Sequence, residues 1–193
     1  MSRPYRQVAR ERAQRHTREA LLNAVEEKLA GGGWAKTSLE SLAANAGVTK
    51  QTALRHFGSK EGLLEAAVAR ASEIVRRERA QAPTEDIPGA VQNLMNHYER
   101  WGKIVLRVLA EEHRGALVRK FTDRGRQVHH EWVERTFEPE LAALDARARR
   151  LREAQLVAVC DVYVWKLLRD DMGLGVADTE IALTEIVEGI LGT

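Results

Sequence analysis

From Gly47 to Leu64 the chain reads G-V-T-K-Q-T-A-L-R-H-F-G-S-K-E-G-L-L. Lys50, Arg55, His56 and Lys60 stand there with no acid before Glu61, and Thr49, Gln51 and Thr52 add short polar groups. These are the groups that address DNA. Lysine and arginine neutralise phosphates or pair with guanine, glutamine pairs with adenine, and a threonine methyl can meet the methyl of thymine. Val48, Leu54 and Phe57 are meanwhile spaced as if to be buried. A solvated helix face would produce such a pattern, and so would a helix laid against a polyanion.

Other residues invite different chemistry. His129-His130-Glu131 and Glu111-Glu112-His113 could be imagined as metal ligands or as the acid–base groups of a helical metal-dependent enzyme. Adjacent helical residues point about 100° apart, so His129 and His130 do not easily face one ion, and no metal site or cofactor is expected. Cys160 has no partner cysteine and sits in the most apolar stretch, which suits an inert buried thiol. No Ser-His-Asp set or glycine-rich phosphate loop stands in a strand–turn–helix context, and Gly31-Gly32-Gly33 follows a helix instead. The chain is expected not to be an enzyme.

Composition frames these motifs. The 193 residues are 44% hydrophobic and 30% charged, an ordinary globular balance. The net charge of +2 conceals an asymmetry: residues 1–60 carry +6 and residues 61–193 carry −4. Such separation points to an anion-binding end and an end with another task. No apolar run approaches the ~18–20 residues of a membrane span, and the basic N-terminus lacks the apolar core of a secretory signal. With one cysteine as well, a cytoplasmic protein with no membrane partner is expected.

Nearly everything reads as helix, because apolar residues recur at three- and four-residue intervals and no period-2 strand stands out. Leu21, Leu22, Val25 and Leu29 form one apolar face, ended by the three glycines. Thr37 as N-cap, with Glu40 completing a capping box, predicts a second helix over 38–45. Thr49 caps a third over 50–57, Gly58 breaks it, and Ser59 caps a fourth that runs towards Arg79. Gly62 reads as a soft spot. P-T-E-D-I-P at 83–88 is a loop. Helices are then predicted at 89–101, 103–113 and 116–137, with a break near Pro139 and two more at 145–170 and 179–191, the last capped by Asp178. The 145–170 segment is apolar on nearly all sides, so either it crosses its own domain or a second subunit covers it.

A capped two-turn helix, a glycine-containing turn and a second short helix with polar residues at its start suggest a helix-turn-helix. The run T-S-L-E-S-L-A-A-N-A-G-V-T-K-Q-T-A-L-R-H-F-G-S-K-E-G-L-L, residues 37–64, closely resembles the DNA-binding signature of TetR-type transcriptional regulators. The resemblance covers about residues 16–75. It implies an all-α chain of about nine helices: a three-helix DNA-binding domain over 16–75, preceded by a basic arm over 1–15, and a helical-bundle ligand-binding and dimerisation domain over 76–193. On this basis Thr49, Lys50, Gln51, Thr52, Arg55 and His56 fall where recognition-helix contacts occur, and Thr37 and Lys60 where backbone contacts occur. Two positions depart from the pattern. Leu54 stands where the family commonly has a phosphate-binding tyrosine, and Gly58 stands where proline is frequent.

The function implied is a sequence-specific repressor that leaves a near-palindromic double-stranded operator when a small molecule binds. Its alternatives are an activator or a DNA-independent ligand sensor on the same scaffold. Six arginines in the first 18 residues (Arg3, Arg6, Arg10, Arg12, Arg15 and Arg18) could enter a minor groove or belong to a solvated extension. A homodimer through helices 145–170 and 179–191 is expected. Most aromatic residues lie beyond the reading motif, which favours an apolar or aromatic effector in a pocket drawn from Trp101, Leu109, His113, Trp132 and Tyr163, with Arg114 as a further orienting group.

Overall fold

Leucine, alanine, arginine and glutamate dominate the first thirty residues, and all are good helix formers. They make one long helix, α1 (Arg3–Gly31), with Pro4 tolerated in its first turn. The structure, a computed structural model, describes residues 3–192; the side chains of residues 3–6, 35 and 114 lie outside the described set. Arg3, Arg6 and Arg114 are therefore not placed beyond their backbones. Residues 7–15 of the basic arm are helical and all exposed. Further along, Leu21, Leu22, Ala24 and Val25 turn inward.

The chain divides into two compact units, Met1–Ala71 and Ser72–Thr193. In the first, α2 (Leu39–Asn45) and α3 (Lys50–Phe57) follow α1, and the boundary between units falls within α4 (Lys60–Arg79). Arg70 joins α4 to α1: its Nη2 donates to Asn23 Oδ1 at 2.8 Å, and the guanidinium pairs with Glu19 and Glu26. The cap of α2 is Ser38, whose Oγ accepts the Ser41 N–H, and not Thr37 as the capping-box pattern predicted. Thr37 instead turns its hydroxyl onto the Gly33 carbonyl at 3.0 Å.

In the second unit α5 (Ile87–Ala110), α6 (Ala116–Thr136), α7 (Glu138–Leu141), α8 (Ala146–Val159), α9 (Val162–Lys166) and α10 (Val176–Leu191) complete an all-α architecture, with no strand among the described residues. Asp86 caps α5, so the loop ends sooner than the two prolines suggested. Helices 89–101 and 103–113 are in fact the single helix α5. Gly102, the predicted break, sits within it because a Cβ there would stand 2.6 Å from the Trp165 ring. Glycine's cost inside a helix, about 1 kcal/mol, is offset where its absence of side chain lets an aromatic ring pack close.

The predicted 145–170 helix is broken in turn. α8 ends at Val159, Asp161 caps α9 by accepting the Tyr163 N–H, and the chain continues as one wider π-helical turn over Leu167–Asp171. The freed Cys160 carbonyl accepts the Tyr98 hydroxyl at 2.8 Å. At the last helix Gly175 holds the cap position and Asp178 lies in the first turn, so Asp178 is not the cap. Val91, Leu94, Met95, Trp132, Val133, Phe137, Leu156, Trp165, Leu183 and Val187 form the core of this unit.

Gly62 is a place of close approach rather than a soft spot. A Cβ on it would fall 2.2 Å from the Phe57 carbonyl oxygen, a backbone atom that cannot swing aside. Gly62→Ala is expected to lower stability by about 1–3 kcal/mol, the range for forced overpacking. Urea unfolding of the two proteins measures it, and an unchanged midpoint would contradict the close approach.

Candidate nucleic-acid interface

An eight-residue helix does not persist alone in water, so α3 depends on its caps and its packing. Thr49 Oγ1 accepts the Thr52 N–H at 3.2 Å and closes the first turn. Gly58 ends the helix with φ near +76°, and its N–H reaches the Leu54 carbonyl at 2.8 Å. Both ends stand where the sequence placed them. The anchor is a different residue from those expected: Ala53 is fully buried, whereas Val48, Leu54 and Phe57 are only half-buried. A small side chain at the contact lets α3 lie close on α2, where Leu42 and Ala43 are also buried. The Val48 N–H donates to Ala43 O at 2.9 Å and fixes the turn between the two helices.

With Ala53 inward, Thr49, Lys50, Gln51 and Arg55 are exposed, and Thr52 and His56 are half-buried beside them. Three of these are linked already: Thr49 and Thr52 share a hydroxyl–hydroxyl bond of 3.0 Å, and Arg55 Nη2 donates to Thr52 Oγ1 at 3.3 Å. Lys50 Nζ reaches Glu40 Oε1 at 2.8 Å, with both side chains more than half exposed. Such a surface pair is worth little, under about 1 kcal/mol, so a phosphate or a base edge can replace Glu40 at small cost. His56 stands beside the Phe57 ring, and the Arg18 guanidinium lies 4.7 Å from the centre of that ring.

The two positions expected at the DNA backbone differ. Lys60 opens α4, with Nζ 3.2 Å from the Trp34 carbonyl oxygen and 4.5 Å from the centre of the Trp34 ring. One of its three donors is thereby held, and the other two remain for an anion. Thr37 is 7% exposed, with its hydroxyl on Gly33 and its N–H on the Trp34 carbonyl. Both of its donors are used within the chain, so in this structure Thr37 braces the turn before α2.

The five residues expected around an effector differ in their exposure. Trp132 is buried, and Trp101 is 8% exposed with Nε1 donating to Glu78 at 3.1 Å. Leu109 is half-buried against the core. His113 and Tyr163 face outward, Tyr163 being 56% exposed. His129 spends both ring nitrogens inside the protein, Nδ1 beside Arg79 and Nε2 at 2.9 Å from the Val157 carbonyl oxygen. Among the described residues no group of three or more His, Cys, Asp or Glu could hold a metal ion, and no helix is long and apolar enough to cross a membrane.

Residues 21–67 match the family model described as "Bacterial regulatory proteins, tetR family". No curated protein matches. Along most of its length the chain is similar in fold to GusR of Salmonella enterica, with a TM-score of 0.66 and 20% identity over 92% of this chain and 96% of that one. It is similar also to SCO7518 of Streptomyces coelicolor A3(2), with a TM-score of 0.60 and 21% identity over 89% and 98%. A TetR-family regulator of the same organism, SCO0857, aligns with a TM-score of 0.51 and 19% identity over 92% and 96%. Residues 21–67, which span the helix-turn-helix, thus carry the tetR-family match, and over most of its length the chain shares the fold of these three structures.

Proposed function

We propose that this protein is a homodimeric transcriptional repressor that reads a near-palindromic operator with α3 and leaves it when a small molecule binds the second unit. The observation that carries the reading is the division of α3 by face. Ala53 is fully buried, and the exposed surface consists of Thr49, Lys50, Gln51 and Arg55, with no acid on the helix. Lys50, Gln51 and Arg55 would meet base edges in the major groove, Thr49 and Thr52 would lie at the mouth of the groove, and His56 would reach the sugar–phosphate edge. Lys60 would hold a phosphate together with the first N–H groups of α4. Cytoplasmic placement belongs to the same proposal, since the DNA is there.

Dimerisation has its own support. Leu151, Tyr163, Leu167, Met172, Val176, Ile181 and Ile186 are each more than two-fifths exposed, and all lie between α8 and α10. A second copy covering them would remove the largest exposed apolar side chains of this unit from water. Tyr163 fits this face better than an effector pocket. Effector binding would act by favouring a spacing of the two reading heads that no longer suits the operator, and only so far as the ligand prefers that state.

Base and phosphate contacts leave different signatures. Arg55→Ala is expected to weaken operator binding by about 1–3 kcal/mol and to relax preference at one base pair, while Lys60→Ala weakens all sequences alike and flattens the salt slope by about one unit. Band-shift titrations over a range of salt decide it; a sequence-selective loss at Lys60, or no loss at Arg55, would contradict the assignment. For the dimer, sedimentation equilibrium should show two chains per particle at micromolar concentration, and Ile181→Glu should raise the dimer dissociation constant at least about tenfold by placing like charges together across the two-fold axis. A wild-type monomer at that concentration would contradict the interface.

A further inference from the structure

Arg79, the last residue of α4, is 4% exposed and forms no ion pair among the described residues. Its guanidinium lies 4.6 Å from the centre of the Trp132 ring and 5.9 Å from that of Tyr98, with Nη2 3.4 Å from His129 Nδ1. Aromatic faces compensate a buried cation only partly. Among the described residues no carboxylate lies within ion-pair distance of it, and the acid that acts on the surrounding Tyr98, Cys160 and His129 is Asp161. Asp161, just past Cys160, has its Oδ1 on the Tyr163 N–H. Burial lowers the pKa of Arg79 from its usual value, though arginine stays charged at any ordinary pH. Glu78, the preceding residue, pairs with Arg100 and Trp101 instead.

Buried side-chain atoms without a hydrogen-bond partner in this unit include two acceptors, Asn93 Oδ1 and Glu140 Oε2, and a set of donors close to Arg79. Arg79 Nε, Trp132 Nε1, Thr136 Oγ1 and His97 Nδ1 are all buried and have no hydrogen-bond partner. Thr136 stands one turn beyond Trp132 on α6, so both side chains project from the same side of that helix. Residues 97, 132 and 136 are each 6% exposed or less. The two histidines add no charge. Burial, and then the neighbouring Arg79, hold His97 well below its usual range and push His129 down to about 4. The cluster thus carries one positive charge, with at least three unpaired donors among apolar and aromatic side chains.

We propose that Arg79 is the head-group site for an organic monocarboxylate, with Trp132 Nε1 and Thr136 Oγ1 as further donors and the apolar core of the second unit around the ligand's body. A carboxylate matches the planar fork of a guanidinium and takes two parallel hydrogen bonds from it. Charge balance selects the class: one buried cation is neutralised by one anion, whereas a phosphate dianion would leave a buried charge of the opposite sign. Because Arg79 is almost fully covered, the ligand enters only as the surrounding helices part, and association is slower than free diffusion. The site deepens the effector reading above and rests on it for its biological meaning, yet it is tested by binding alone.

The test uses the full chain, with tryptophan fluorescence and calorimetry as readouts. The probes are benzoate and phenylacetate, set against their neutral isosteres benzamide and phenylacetamide, with inorganic phosphate as a third probe. At least one acid is expected to bind about tenfold or more tighter than its amide and than phosphate, and to change the emission of Trp132, which Trp132→Phe removes along with part of the affinity. Arg79→Gln is expected to abolish the preference for acid over amide. Should that variant fail to fold, the acid–amide comparison on the wild type still decides. The proposal is overturned if neither acid binds up to about 10 mM, if acid and amide bind alike, or if phosphate binds best. An acid that binds without loosening the protein from DNA would support the site and remove its regulatory role. Absence of binding would remove the site and leave the DNA-reading assignment standing.

Discussion

The contact on which the DNA-reading surface depends is that of a single methyl group. Ala53 is the one fully buried residue of α3, a helix of two turns, and the half-buried Val48, Leu54 and Phe57 flank it. Once that methyl is inward, the 100° step of the helix sends Gln51 and Arg55 to the opposite side, while Thr49 and Lys50 are exposed at the open N-terminal end of α3. A larger residue would hold the helices apart, and a polar one would leave an unpaired group in the contact. The caps act on the same element from its ends. Thr49 sets where α3 begins and Gly58 where it stops, so reading side chains of several types share one rigid frame.

Gly62 extends that frame into α4. Its missing side chain lets the first turn of α4 close over the Phe57 carbonyl, and Lys60 is held against Trp34 at the same joint. Proline is absent from this joint, as tyrosine is absent from position 54. Leu54 is half-buried and cannot bond to a phosphate, so in the proposed reading the anchoring would fall to Lys60 and His56. The second unit applies similar devices to a larger core. Gly102 admits the Trp165 ring, Trp165 Nε1 donates to Glu99 at 2.9 Å, and the Tyr98 hydroxyl satisfies the carbonyl exposed by the break after α8. Burial pushes the Cys160 thiol up to about 12, which suits packing and not reactivity.

The sequence made some of this legible and concealed the rest for physical reasons. The bounds of α3 follow from local chemistry, a threonine cap and a glycine stop, and both were readable. The identity of its anchor was not, because alanine gives a weak signal while leucine and phenylalanine give strong ones. Two adjacent hydroxyl residues, Thr37 and Ser38, compete for one cap, and only backbone geometry chooses between them. The glycine in α5 misled because its purpose lies on Trp165, sixty-three residues away, and the break at Cys160 was hidden inside an apolar run whose one acid, Asp161, was its signal. In the sequence Arg79 is marked only as the point towards which the fourth helix runs. Whether a charge finds a partner is settled by tertiary packing, and sequence spacing holds no trace of it.

The central claim is that the exposed face of α3 reads a defined DNA sequence from two copies of the chain. Hydroxyl-radical footprinting of the protein on DNA upstream of its own coding sequence tests this most directly. The account predicts two protected half-sites of related, inverted sequence, with centres about one helical turn apart, at protein concentrations that leave unrelated DNA untouched. Protection spread evenly over any DNA, or a single unpaired half-site, would contradict it.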